Sequence, residues 1–301
     1  MAPGSTKTLI VVAGPTASGK TALAIELAKK LRTEIISADS RQFYREMSIG
    51  TAKPTPEELA QAKHHFTDSL SITDSFSVGD FEREGLAILE SIFANHDTAI
   101  MVGGSGLFIK AICEGFDDLP EALPQTREKL NREFAEKGIV YLQEKLEAAD
   151  PVYYEKVDLD NPQRLIRALE VYESTGIPFS SFRKGTTVPR PFRVIKIGIN
   201  MPRDILYQHI NQRVDNMIRQ GLVDEARSLL PWRHLNALNT VGYGELFDYF
   251  DGKTDLESAI ALIKQNTRRF AKRQMTWFRK DKDVQWINRN DVNAIENILG
   301  I

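Results

Sequence analysis

The chain has 301 residues, 42% of them hydrophobic and 27% charged, with a net charge of −2. That balance suits a globular protein with a buried core and excludes one coated all over with positive charge for nucleic acid. The single cysteine, Cys113, excludes an internal disulfide or a cysteine-rich zinc module. No apolar run approaches the roughly 20 residues that span a bilayer, and no secretory h-region is read ahead of the first strand. The expected setting is the cytosol, away from any membrane.

In chain order, the first 110 residues alternate strands with helices. Residues 8–13 (TLIVVA) form a short apolar run, as a strand buried on both faces does. A glycine loop leads into helical spacing over residues 21–31. Residues 34–39 (EIISAD) read as a second strand and residues 98–102 (TAIMV) as a third, followed by Gly103, Gly104, Ser105 and Gly106 and a further helix. Such repetition predicts a parallel sheet with flanking helices. From about residue 115 to 185 the sequence turns charged and helix-favouring. Residues 124–137 and 139–149 are two expected helices. Asn161 and Pro162 supply an N-cap and first-turn proline for a third, with Leu165, Leu169 and Tyr172 on its stripe. Residues 192–199 (FRVIKIGI) resume the sheet, and helices run on to the C-terminus. The expectation is an α/β fold with a P-loop NTPase-like core of residues 1–115 and 186–301, plus an inserted all-helical domain of residues 116–185.

Gly14, Pro15, Thr16, Ala17, Ser18, Gly19, Lys20 and Thr21 match G-x-x-x-x-G-K-[ST] between a strand and a helix, the context in which that pattern cradles phosphates. Backbone N–H groups and the helix N-terminus face the anion, Lys20 adds charge, and the Thr21 hydroxyl can reach a bridging Mg²⁺. The loop alone makes a small-molecule kinase the default, with a nucleic-acid-binding ATPase as a further option. Asp39 ends the second strand, at the edge where parallel sheets place ligands, and reads as a general base or a metal partner beside the donor. Arg213 lies on a helical stripe with Leu206, Ile210, Val214 and Met217, where a cation needs an anion to meet it; it reads as a clamp on a leaving phosphate. Between residues 264 and 282 stand eight Lys or Arg and one acid, Asp281, a local docking face for a polyanion.

These residues together carry a resemblance. GPTASGKT (14–21), ISADSRQFY (36–44), IGTAKP (49–54), VGGSGL (102–107), NPQRLIRALE (161–170), NALNTVGY (236–243) and TRRFAKRQMTWFR (267–279) resemble, in order, the signature blocks of the bacterial tRNA dimethylallyltransferases. The resemblance implies transfer of a dimethylallyl group from its diphosphate to N6 of the adenine 3′ of the anticodon (position 37), with Mg²⁺ as cofactor. The implied partners are dimethylallyl diphosphate and a tRNA anticodon stem-loop, and a monomer is expected.

Carried onto this chain, the resemblance assigns the P-loop to the donor diphosphate, with Thr16 among its contacts. Asp39, Thr16 and Arg213 become catalytic, and Thr21 the metal ligand. It assigns tRNA contacts to Asp39, Ser40, Arg41, Gln42, Ser105, Arg127, Gln163, Arg164, Leu165, Ile166, Arg167, Arg268 and Lys272. Arg268, Lys272 and Arg279 share one helical face for the anticodon-stem phosphates, while Phe270 and Trp277 on the opposite face are expected in the core. Three positions depart from the family: Ser105 where threonine is usual, Phe108 where tyrosine is usual, and Gly244 where a basic residue is common. His64 and His65 are expected to be structural, and Cys113 a packed thiol.

Overall fold

The computed structural model describes residues 7–300 apart from 118, 121, 122, 184, 186 and 290. The chain divides into two compact units, Met1–Cys113 with Arg190–Ile301, and Glu114–Pro189.

The first unit opens with β1 (Thr8–Ala13), α1 (Lys20–Leu31), β2 (Ile35–Ser37), α2 (Pro56–Leu59), β3 (His64–His65), α3 (Val78–Asn95), β4 (Thr98–Gly103) and α4 (Gly106–Glu114). The second unit holds α5 (Pro124–Ala149), α6 (Pro151–Tyr154), α7 (Pro162–Thr175) and α8 (Phe179–Phe182). The first unit resumes with β5 (Arg193–Asn200), α9 (Arg203–Arg219), α10 (Leu222–Leu229), α11 (Tyr243–Phe250), α12 (Leu256–Phe278), β6 (Val284–Asn288) and α13 (Val292–Leu299).

The strands form one parallel sheet in the order β3-β2-β4-β1-β5-β6. β1 lies between β4 and β5, with Thr8 opposite Thr98 on one side and Arg193 on the other. Its continuous apolar sequence has a simple cause. Leu9, Val11 and Ala13 enter one helix-covered layer, while Ile10 and Val12 enter the other, so no position can be polar. Because all six strands run the same way, the loops that follow them collect at one edge.

A third apolar cluster ties the helices after β5 together. Val214 and Met217 of α9, Leu222 of α10, Tyr243 and Leu246 of α11 and Ile263 of α12 pack there with Tyr44 and Met47. Within the helical unit, Gly138 (φ 78°) interrupts α5, which separates the two helical segments expected there. Asn161 caps α7 by accepting from the Arg164 N–H at 3.3 Å, and Gly176 closes it in the left-handed conformation. Two elements differ from expectation. β3 is two residues long, too short to show a period, and β6 (VQWIN) follows α12 where helices were expected to continue.

Candidate functional site

The loop between β1 and α1 is shaped by two left-handed residues, Ala17 (φ 62°) and Gly19 (φ 85°). Ala17 is thus a non-glycine residue held in the sparsely populated left-handed region, a strained conformation that clusters at ligand-binding loops. Ser18 Oγ donates to the Pro15 carbonyl at 2.9 Å, and Lys20 Nζ donates to the same oxygen at 2.6 Å. Burial lowers the Lys20 ammonium to about 8; Asp39 pulls it up and Arg213 pushes it further down. Residues 17–22 line a cavity of about 350 Å³ together with His209, Gln212, Arg213 and Asn216 of α9 and Arg289 beyond β6. Lys20 and Thr21 therefore face a space with surplus positive charge.

A larger chamber of about 820 Å³ opens beside it, lined by Thr16, Asp39, Ser40, Arg41, Ser105 and residues of α9, α11 and α12. Arg213 lines both spaces. Desolvation lowers its guanidinium below the usual arginine range, with Asp39 acting in the opposite sense. Its Nη2 donates to the Thr51 carbonyl at 3.3 Å. Asp39 Oδ1 accepts the Arg41 N–H at 3.2 Å, which leaves its second oxygen for a proton on a reactant.

The residues after Asp39 divide by task. The Ser40 N–H donates to Ser105 Oγ at 3.2 Å, clipping the loop after β2 to the loop after β4. The Arg41 guanidinium donates to the carbonyls of Asn236 and Asn239 at 3.0 and 3.3 Å. Gln42, expected at the RNA, is buried instead. Its Nε2 donates to the carbonyls of Thr51 and Ala52, so the side chain braces the chamber wall from behind.

One face of α12 forms a wall of the chamber through Asn266, Thr267, Phe270, Arg273, Gln274 and Trp277. Phe270 and Trp277 were expected in the core; they are 40% and 44% exposed. The face opposite the basic residues turns toward an open chamber rather than toward packed side chains. Arg268 donates to Asn211 Oδ1 at 2.7 Å and lies over Tyr207, while Lys272 and Arg279 are exposed. Phe108 packs edge-on against Phe43 and Phe81. Gly244 lines the chamber, with nothing within 4 Å of where a Cβ would stand.

Gln274 was not anticipated. It accepts the Thr16 N–H at 2.8 Å and donates to the Gly104 carbonyl at 2.9 Å, bracing α12 against the P-loop and the loop after β4. Gly104 has to be glycine for this, since a Cβ would lie 2.2 Å from Gln274 Nε2. A signal did exist: Gln274 falls in the α12 stripe of Ile263, Ala271 and Phe278, all buried, the pattern that singled out Arg213. Glu225 of α10 also escaped notice. Its carboxylate accepts the N–H groups of Ser48, Ile49 and Gly50 and the Tyr243 hydroxyl. Four donors from distant segments leave no mark in local sequence.

In the helical unit, Arg127 Nε and Nη2 each donate to Glu170 at 3.1 Å, and Arg167 Nη1 donates to it at 3.2 Å. Gln163 and Arg164 are exposed. Leu165 and Ile166, expected at the RNA, have no exposed surface. They pack with Leu130, Leu142 and Leu146, so their side chains hold α7 in place.

A sequence model described as IPP transferase matches residues 42–281. The chain belongs to the IPP transferase family. A tRNA dimethylallyltransferase of Christiangramia forsetii is 56% identical over 292 residues, covering 96% of this chain and 97% of that protein. One from Cytophaga hutchinsonii is 50% identical, covering 97% and 96%. The crystal structure of the tRNA isopentenylpyrophosphate transferase of Bacillus halodurans superposes with a TM-score of 0.70 at 38% identity, covering 98% of this chain and 94% of that one. As in other IPP transferases, the core has a P-loop NTPase-like fold. The match to the family model begins after the phosphate loop, so Gly14 to Thr21 stand as a separate observation. No helix of the described residues is long and apolar enough to cross a membrane.

Proposed function

We propose that this chain transfers a dimethylallyl group from dimethylallyl diphosphate to N6 of the adenine at position 37 of tRNA, releasing diphosphate. One observation carries the reading: the P-loop cavity and the larger chamber beside it share Arg213, with Asp39 on the chamber side. A P-loop kinase of a small metabolite has no use for a chamber of about 820 Å³ walled by an arginine-rich helix.

In the reaction the bond between the prenyl C1 and the bridging oxygen breaks, and its electron pair leaves with the diphosphate. The loop N–H groups, Lys20 and Arg213 stabilise that charge where it develops. The N6 lone pair forms the new C–N bond, and Asp39 takes the N6 proton as it becomes acidic. Thr16 stands at the chamber beside both reactants, held by Gln274.

In the donor cavity the Thr21 hydroxyl would hold Mg²⁺ beside the diphosphate. Such sites use few protein ligands, and no three-residue His, Cys, Asp or Glu cluster occurs among the described residues. The ion would neutralise diphosphate charge. In the first unit, Ser40, Arg41 and Ser105 line the acceptor chamber, while Arg268, Lys272 and Arg279 meet phosphates. In the helical unit, Gln163, Arg164, Arg127 and Arg167 form its RNA face. Adenine has to leave its stack to enter the chamber. The setting for this work is the cytoplasm.

Nucleoside mass spectrometry on unmodified tRNA incubated with the protein, Mg²⁺ and dimethylallyl diphosphate tests the proposal. N6-dimethylallyladenosine forms with the wild type; Asp39→Asn lowers its rate by about 10²–10⁴-fold with diphosphate binding retained. No prenylated nucleoside from active tRNA would refute the proposal.

A further inference from the structure

Arg289 stands one residue beyond β6 and lines the 350 Å³ cavity with the P-loop. A Cβ placed on Gly19 would lie 2.8 Å from both Cδ and Nη1 of Arg289. Gly19 is required by its left-handed φ of 85°, and the arginine side chain lies over the face a Cβ would occupy. The nearest acid, Glu26, is 3.8 Å away, with side chains 39% and 68% exposed for Arg289 and Glu26. An exposed pair at that distance holds a guanidinium weakly. Among the described residues Arg289 makes no hydrogen bond, so all five of its N–H donors remain available.

We propose that Arg289 is a third cationic ligand of the donor site, gripping the diphosphate at the phosphate farther from the prenyl group. The inference rests on the donor reading above. The assignment to the far phosphate comes from the two cavities. Arg213 lines both and so sits at the reacting end, whereas Arg289 lines only the P-loop cavity. A planar guanidinium binds two oxygens of one phosphate at once, which a lysine cannot. Arg289 lies outside residues 42–281 that match the family model. It is brought to the loop by the edge strand β6, whose Lys196–Val284 to Asn200–Asn288 pairing with β5 fixes its position.

The test is titration calorimetry of inorganic diphosphate with Mg²⁺ into the full chain, alongside steady-state kinetics and tRNA binding. Arg289→Ala weakens diphosphate binding roughly tenfold and raises the KM for dimethylallyl diphosphate in step, with tRNA affinity unchanged. Arg289→Lys falls between the two, having charge without the fork. Glu26→Gln binds diphosphate like the wild type. Should R289A fail to fold, Arg289→Gln carries the same expectation. Unchanged affinity in R289A or R289Q overturns the inference, as does an equal loss in E26Q, which would make the arginine a structural partner of Glu26. A wild-type chain that binds no diphosphate would sink the donor reading itself. Wild-type binding with an indifferent Arg289 sinks only this inference.

Discussion

Replacing Glu225 by glutamine changes one atom's hydrogen-bonding character at the point where the chamber wall is suspended. Oε2 accepts the N–H groups of Ser48 and Ile49 at 3.0 and 2.8 Å, and Oε1 accepts the Gly50 N–H at 2.9 Å and the Tyr243 hydroxyl at 2.7 Å. In glutamine one of these oxygens becomes an NH₂ donor, so in either orientation at least one backbone N–H faces another donor. The retained bonds also lose charge assistance, falling from about 1.5–3 kcal/mol each to about 1. The carboxylate is half-buried, which places the total near the lower end, at about 2 kcal/mol. That corresponds to a fall in Tm of roughly 4–8 °C for a body of this size. Because Gly50 and Thr51 line the chamber and the Thr51 carbonyl accepts from Arg213, kcat/KM falls as well. Calorimetric melting of E225Q beside Tyr243→Phe, which loses one bond of the four, provides the comparison. A Tm for E225Q within about 1 °C of wild type, or a loss no larger than that of Y243F, would refute the suspension argument.

Three further outcomes are expected. With the Lys20 ammonium lowered to about 8 by burial, diphosphate affinity measured by calorimetry holds below pH 7 and weakens as pH rises through 8. The stability effect of the same group has the opposite sign: the unfolded chain binds the extra proton between about 8 and the ordinary lysine value of 10.5, so this group's contribution favours the folded state more as pH climbs through that window. Gln274→Leu keeps the bulk but strands the Thr16 N–H and the Gly104 carbonyl, costing about 2 kcal/mol in urea unfolding and lowering kcat more than tRNA affinity. Ile166→Ala opens a cavity in the helical unit and destabilises that unit by about 2–5 kcal/mol, read by denaturant unfolding, with diphosphate affinity in the other unit unchanged.

What could be read from sequence follows the range of the interactions involved. The phosphate loop was legible because its residues are contiguous and its context, strand then helix, is local. Arg213 was legible because a charge in an apolar stripe is an anomaly visible within one helix. Gln42 misled, since a polar side chain after a catalytic acid gives no hint that two carbonyls from residues 51 and 52 will take it inward. Phe270 and Trp277 misled in the other direction, because amphipathic spacing identifies two faces of a helix without saying that the apolar one borders a chamber. The Glu225 clip and Arg289 were out of reach: each depends on segments more than 170 residues apart in sequence meeting at one atom or one glycine. β6 was missed because it is an edge strand of five residues whose burial keeps no two-residue period: Val284 and Ile287 are buried, while Gln285 and Asn288 are exposed.

The order in which the strands pair also governs the order in which the chain can mature on the ribosome. β1 is made first, yet its neighbours β4 and β5 emerge only with residues 98 and 193. The strand that bears the phosphate loop therefore waits, half-sheathed, while the contiguous helical unit of residues 114–189 is synthesised. During that interval Ile10 and Val12 lack the companions from β5 that later share their layer, and long-range parallel pairing of this kind closes slowly. The lining of the P-loop cavity is thus completed last, when β6 docks and brings Arg289 beside Gly19, so a nascent chain released before residue 289 carries the motif with that part of its lining missing.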